Sequence, residues 1–180
     1  MNMKNFFRAA AAAVMIVSTP VNAGNTVEDH KQLWTAVERA GVTVMLNHPE
    51  MCGQGVHGFY ASVDQAMMIC QDRSKKSFDH VEWTENDFDT LRHEAQHLLQ
   101  DCKDGRVGDG RLVPALSAEY LAEIAEDSGM TAADVRQIQE SYGSKGASDE
   151  VIRNEVEAFI VARAIPASTL AETLLKHCTL

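Results

Sequence analysis

The pentapeptide HEAQH at residues 93–97 constrains this 180-residue chain more than any other feature, because its two histidines are four residues apart. On an α-helix that spacing puts two side chains about 40° apart around the axis and about 6 Å apart along it. His93 and His97 would leave from one face and could bind one zinc ion, for which neutral imidazole is a good ligand. Glu94 lies about 100° further round. The motif therefore predicts a zinc hydrolase in which Glu94 acts as the general base. The alternative is a pair of histidines on a solvated or core face.

The residues around the motif predict the helix that it needs. Asn86, Asp87 and Asp89 place capping groups and negative charge at its start, where the helix dipole favours them. Gly105 is a natural stop after its last turn. Apolar residues recur at three- and four-residue spacing along it, namely Phe88, Leu91, Ala95, Leu98, Leu99 and Cys102.

Residues 1–23 have the three-part pattern of a secretory signal peptide. Lys4 and Arg8 precede an uncharged apolar run at 9–18, and a small-x-small cleavage site follows. The run is about half of the ~20 residues that cross a bilayer, so we expect no stable membrane span after cleavage. An uncleaved anchor is the alternative. We predict a single domain at 24–180, exported to the periplasm or secreted.

The charge of the chain restricts its partners, and its cysteine content predicts its disulfides. The formal net charge of −10 argues against a nucleic-acid partner, because an acidic surface repels phosphate. An even count of four cysteines in an exported chain suggests two disulfides. Of the three possible pairings we favour Cys52–Cys70, which would close a local hairpin, and Cys102–Cys178, which would fix the tail to the motif helix. A cysteine zinc site is the weaker alternative, since no Cys-x-x-Cys is present.

The order of predicted elements indicates a helix-rich α+β domain with a small N-terminal sheet. Two short runs, 56–61 and 65–70, are typical of an antiparallel hairpin whose edge could hold an extended peptide. The other predicted elements are a strand at 42–46 and helices at 27–40, 115–127, 131–142, 149–165 and about 170–175.

A catalytic zinc site normally has three protein ligands, so two histidines require a partner. The helix after Asp149 offers Glu155 or Glu157. Apolar residues mark one side of that helix as buried, and a carboxylate at its margin would need a partner such as a metal. The alternative is that both acids are exposed.

H-E-x-x-H followed by a helical Glu resembles the gluzincin class of metallopeptidases. Asn154-Glu155 is similar to the thermolysin-type pattern. Glu155-Val-Glu-Ala158 is similar to the Glu-x-x-Ala of CAAX-prenyl and heat-shock membrane peptidases and of peptidases that act on phage repressors. The resemblance implies a zincin-like fold, one zinc ion, peptide or protein substrates, and Glu155 as the third ligand. Those families carry Asp or Asn, which orients a histidine, where this chain has Phe159; Asp101 is a candidate for that role here.

The sequence thus predicts an exported zinc peptidase with His93, His97 and Glu155 as ligands. The donor to the oxyanion stays open among Tyr120, Tyr142, Arg163 and His177. The first alternative is a zinc-binding exported protein without catalysis, such as a degenerate peptidase or a metal carrier, which Phe159 motivates. The second is a structural or interaction domain. Two further histidines, His57 and His80, are more typical of surface residues than of ligands.

Overall fold

A computed structural model describes residues 25–53, 55–72, 82–103, 105 and 107–178; the predicted leader and His80 lie outside these ranges. The described residues form six helices and one three-stranded sheet, so the predicted helix-rich α+β fold class is confirmed. In chain order the elements are α1 (Val27–Arg39), β1 (Thr43–Leu46), β2 (Gly58–Ala61), β3 (Ala66–Ile69), α2 (Glu85–Cys102), α3 (Ala118–Asp127), α4 (Ala132–Gly143), α5 (Asp149–Ala164) and α6 (Ala167–His177).

The cap of the motif helix α2 lies two residues before Asn86, the first of the predicted capping residues. Thr84 is the N-cap: its hydroxyl accepts from the backbone N–H of Asp87 at 3.2 Å. In return the Asp87 carboxylate accepts from the backbone N–H of Thr84 at 2.7 Å. This capping box satisfies two backbone donors that the first turn leaves unpaired. Of the three predicted capping residues only Asp87 caps the helix, and Asn86 and Asp89 line a cleft described below.

The predicted hairpin forms, and it occupies one edge of the sheet. The strand order is β1-β3-β2, with β2 antiparallel and β1 parallel to β3. The backbone N–H of Cys70 donates to the carbonyl of His57 at 2.8 Å. Because antiparallel ladders alternate, this bond directs the backbone groups of Gly58 and Tyr60 away from β3, towards the open edge. That edge runs beside α2.

Helix α2 lies at the centre of the core, and most of its residues are buried. It packs against α5, where the guanidinium of Arg92 donates from Nε to the carbonyl of Ala162 at 2.6 Å. This bond fixes the C-terminal end of α5 beside α2. The largest fully buried apolar side chains come from α1, β3, α2 and α6, and they are Leu33, Met67, Met68, Ile69, Leu91, Leu98, Leu170 and Leu174.

Both predicted disulfides are present. Cys52–Cys70 closes the segment that carries β2, and Cys102–Cys178 joins the end of α2 to the end of α6. Two disulfides are typical of an oxidising, extracellular compartment. Among the described residues, no helix combines the length and apolar character needed to cross a membrane.

Candidate metal centre and cleft

His93 and His97 project from one face of α2, one turn apart, as the motif spacing predicts. Their Nε2 atoms are 3.1 Å apart and their rings are nearly perpendicular. His97 is buried and His93 is largely so. Two imidazole nitrogens at this separation, in a place shielded from water, are suited to share one cation.

Helix α5 brings Glu155 to the same point. Its Oε2 lies 3.3 Å from His93 Nε2, and its Oε1 lies 3.5 Å from His97 Nε2. Oε2 is buried and has no hydrogen-bond donor among the described residues. A buried carboxylate oxygen without a donor, beside two imidazole nitrogens, is the donor set of a two-histidine, one-glutamate zinc site. The residues therefore fit zinc.

The alternative ligand Glu157 points elsewhere. It is almost completely buried, and its carboxylate is fully engaged within the protein. Oε1 accepts from Gln96 Nε2 at 2.7 Å, from Gln100 Nε2 at 3.0 Å and from the Ala115 backbone N–H at 2.9 Å. Oε2 accepts from the Leu116 backbone N–H at 3.2 Å. Glu157 therefore joins α2 and α5 to the loop before α3.

Gln100 orients His97, a role that the sequence did not reveal. Its Oε1 lies 2.8 Å from His97 Nδ1 and accepts the proton there, which makes Nε2 the nitrogen that faces Glu155 and is available to a metal ion. The Gln100 amide is itself held, because its Nε2 donates to the Asn154 carbonyl and to Glu157. The available signal was its spacing, since Gln100 follows His97 by three residues on the same helical face.

His93 has a different environment. Its Nδ1 is buried and has no hydrogen-bond partner among the described residues, and the ring of Phe159 packs edge-on against it at 4.4 Å. The suggestion that Asp101 orients a histidine is wrong. Asp101 instead faces β2 and the loop after α2, where it accepts from the Tyr60 hydroxyl at 2.7 Å and from the Gly108 backbone N–H at 2.8 Å.

Glu94 lies beside the candidate metal ligands, and β2 approaches it closely. A Cβ on Gly58 would come within 2.6 Å of Thr90 Cγ2 and 3.3 Å of Glu94 Oε1, so a glycine is needed at this position. Burial raises the pKa of Glu94, and the nearby Glu155 raises it further against the opposing effect of the two histidines. The backbone of Tyr60 favours the charged form of the Glu94 carboxylate, which lowers its pKa slightly.

The charges of the candidate ligands depend on one another. Burial alone would lower the pKa of His97, but Glu155, Glu94 and the bond to Gln100 raise it to about 9. Burial would raise the pKa of Glu155, but His93 and His97 hold it well below its ordinary value. In the absence of metal, a proton on the imidazoles takes the place of the cation.

A cleft of about 350 Å³ opens over Glu94 and His93. Of the four candidate donors, Tyr142 and Arg163 line it, whereas Tyr120 and His177 do not. Burial raises the pKa of Tyr142, and an interaction of its hydroxyl with Glu155 raises it further, so this tyrosine remains a proton donor.

His57 forms part of the opposite wall of the cleft. Asn86 Nδ2 lies 3.2 Å from His57 Nδ1, and Asp72 Oδ1 lies 3.6 Å from the same nitrogen. The expectation that His57 is a surface residue is confirmed, because its side chain is well exposed. It lies at the cleft because β2 runs along α2.

The structure therefore brings four predicted residues together, His93, Glu94, His97 and Glu155. The ligand atoms of His93, Glu94 and His97 also lie within 4.8 Å of one another, close enough to hold a metal ion. No curated protein and no solved structure matches the chain. A family profile described as a domain of unknown function (DUF8637) matches residues 23–179. This match covers most of the chain, which therefore belongs to the DUF8637 family.

Proposed function

We propose that this protein is an exported zinc-dependent peptidase, periplasmic or secreted, of the gluzincin type. The observation that carries the proposal is the convergence of the Glu155 carboxylate on the Nε2 atoms of His93 and His97, at 3.3 and 3.5 Å. These three residues would hold the ion. When bound, zinc supplies Lewis acidity, which makes a water molecule more acidic and polarises a peptide carbonyl.

Glu94 is placed to act as the general base and then as the general acid. Its carboxylate is buried next to the ligands, and its raised pKa brings it closer to the pKa of the proton that it must accept. It takes a proton from the attacking water and delivers that proton to the nitrogen of the leaving amine. Tyr142 is the best-placed donor to the oxygen that becomes negative when the carbonyl is attacked, because its hydroxyl interacts with Glu155.

The open edge of β2 is suited to hold an extended peptide. The backbone groups of Gly58 point away from β3, and Gly58 itself lies against Thr90 and Glu94. A substrate strand that pairs with this edge would pass directly over Glu94. Main-chain pairing of this kind makes peptides the expected substrates, and the overall negative charge makes nucleic acid an unsuitable one.

The test is Glu94→Gln, with Glu150→Gln as the matched control, because Glu150 is exposed on α5. We expect wild type to bind one zinc ion per chain and to cleave members of a broad peptide library. Glu94→Gln should keep the zinc and lose at least ~10²-fold in turnover, whereas Glu150→Gln should retain both. Unchanged turnover in Glu94→Gln would reject the mechanism.

A second candidate function is zinc binding without catalysis, as in a degenerate peptidase or a metal carrier. The unpartnered His93 Nδ1 against Phe159 favours it, since catalytic histidine ligands are usually held by a second hydrogen bond. Stoichiometric zinc in wild type, with no cleavage of any library peptide, would identify this function.

A further inference from the structure

Arg163 lines the same cleft as His93 and Glu94, near the C-terminal end of α5, and its side chain is exposed there. Within the part of the chain that the structure describes, its guanidinium has no hydrogen bond and no ion pair within 4.0 Å. A guanidinium presents its N–H donors in a rigid fork that matches a carboxylate with two parallel bonds. An exposed arginine that has no carboxylate partner in the protein is therefore able to bind the carboxylate of a ligand.

The nearest acidic side chains are already engaged. Asp89 also lines the cleft, but its carboxylate forms a close ion pair with Arg92, whose guanidinium is buried. Asp134 is near enough to interact electrostatically with Arg163, yet its carboxylate caps α4 by accepting from Thr131 N and Oγ1, each at 2.7 Å. Neither group neutralises Arg163 by direct contact.

The negative charge of the rest of the chain makes the Arg163 guanidinium a selective site for a substrate carboxylate. The chain has a formal net charge of −10, so most of its surface repels an anionic peptide. Among the described residues that line the cleft, Arg163 is the only lysine or arginine, so a carboxylate that approaches the cleft is attracted towards it and towards the metal centre. The contrast favours substrates in which one carboxylate can reach Arg163 while the cleaved bond lies over Glu94.

The position of Arg163 on α5 gives an approximate distance between this residue and the metal centre. It follows Glu155 by eight residues on α5, which corresponds to about 12 Å along the helix axis. An extended peptide advances about 3.3 Å per residue. Resting on the proposed peptidase function, we propose that Arg163 is a specificity-determining residue that binds a substrate carboxylate three to four residues from the cleaved bond. The carboxylate could belong to an acidic side chain or to the C-terminus of the peptide.

The experiment measures peptide binding to the zinc-loaded Glu94→Gln protein, so that no turnover occurs. Cleavage by wild type, mapped by mass spectrometry, first fixes the register of one neutral peptide. Fluorescent versions then carry Glu, Gln or Lys at each of the four positions on either side of the cleaved bond, with an amidated C-terminus. A second set of Gln peptides has a free C-terminal carboxylate, and each of them ends at a different one of these positions. Comparison of the two sets distinguishes a side-chain carboxylate from a C-terminal one.

We expect one position, three or four residues from the cleaved bond, at which a carboxylate improves binding about tenfold over Gln. Arg163→Ala should remove that preference, and Arg163→Glu should reverse it in favour of Lys. Arg153→Ala is the matched control, because Arg153 is exposed on α5 and does not line the cleft. It should change binding by less than twofold.

One contrary outcome is that wild type cleaves peptides but the Glu94→Gln protein binds no carboxylate peptide better than its Gln counterpart. This result would overturn the assignment of Arg163 and leave the peptidase proposal intact. A preference that survives in Arg163→Ala would overturn it in the same way. If wild type cleaves no peptide and the Glu94→Gln protein binds none, the peptidase function fails, and this inference fails with it.

Discussion

The side-chain oxygen of Gln100 lies 2.8 Å from Nδ1 of His97, and this contact decides which imidazole nitrogen faces Glu155. The Gln100 amide is fixed in turn by Glu157, so the orientation of a candidate metal ligand depends on the packing of α2 against α5. A hydrogen-bond partner on the far side of a ligand histidine fixes its tautomer and raises its basicity.

Gln100→Leu should lower zinc affinity about 10- to 100-fold, because His97 loses the acceptor that orients it. The matched control is Gln96→Leu. Gln96 also donates to Glu157 Oε1, at 2.7 Å, but it makes no hydrogen bond to a histidine among the described residues. Competition titration with a zinc chelator measures both variants. Equal losses of affinity would show that the effect comes from helix packing and not from orientation of His97.

Phe159→Asn should raise zinc affinity up to about tenfold. The buried Nδ1 of His93 has no partner among the described residues, and the Phe159 ring packs against that imidazole. An amide oxygen at residue 159 can accept the Nδ1 proton without burying a new charge. Phe159→Leu, which offers no acceptor, should leave the affinity unchanged or lower it. A Phe159→Asn affinity no higher than that of Phe159→Leu would contradict this account of His93.

Glu157→Ala should lower the free energy of unfolding of the metal-free protein by about 3–5 kcal/mol. The substitution leaves two glutamine amides and two backbone N–H groups without their shared acceptor. Glu157→Gln should cost less, since it keeps one acceptor oxygen but turns an amide donor towards other donors. Urea denaturation monitored by circular dichroism measures both. A loss below about 1 kcal/mol for Glu157→Ala would contradict the role given to this carboxylate.

Zinc binding should release about one proton per ion near pH 7. The neighbouring carboxylates outweigh burial and raise the pKa of His97 to about 9, so the metal-free site holds a proton that zinc must displace. We expect zinc affinity to rise about tenfold per pH unit between pH 7 and 8.5. Calorimetry in two buffers with different ionisation enthalpies counts the protons. Affinity that does not change across this range would contradict the coupling.

The raised pKa of His97 also predicts how the stability of the metal-free protein changes with pH. A folded-state pKa raised above the ordinary 6.5 contributes stability that is complete below that value and is lost as pH rises through about 9. The melting temperature of the metal-free protein should therefore fall between pH 7 and 9.5. The zinc-loaded protein, in which His97 is already neutral, should show a smaller change over the same range.

Much of the fold follows from local sequence patterns. Helix bounds were predicted to within a few residues because apolar periodicity, capping residues and glycine stops act within a few residues of each other. The disulfides Cys52–Cys70 and Cys102–Cys178 were predicted from their positions relative to the hairpin and the motif helix. The parallel pairing of β1 with β3 was not, because it depends on how α1 and α2 pack and not on any local signal.

The candidate site also has features that local sequence predicts and features that depend on how the helices pack. The side-by-side placement of His93 and His97 follows from helical geometry alone. Gln100 follows His97 by three residues, so its place on the same face was predictable, but the contact of its amide with Glu157 depends on where α5 crosses α2, and no spacing within either helix encodes that crossing. The error over Asp101 has a similar origin, because its partner Tyr60 lies on β2. Asp101 is one residue beyond Gln100, and this difference of about 100° turns it towards Tyr60.

Anomalous scattering at the zinc edge, measured on a crystal of the purified protein, locates any zinc ion that the protein holds. We expect one ion per chain, about 2.0–2.2 Å from His93 Nε2, His97 Nε2 and a carboxylate oxygen of Glu155, with Glu157 still bound to Gln96 and Gln100. An ion at any other position, or a protein that binds no zinc while these three side chains are intact, would contradict this expectation.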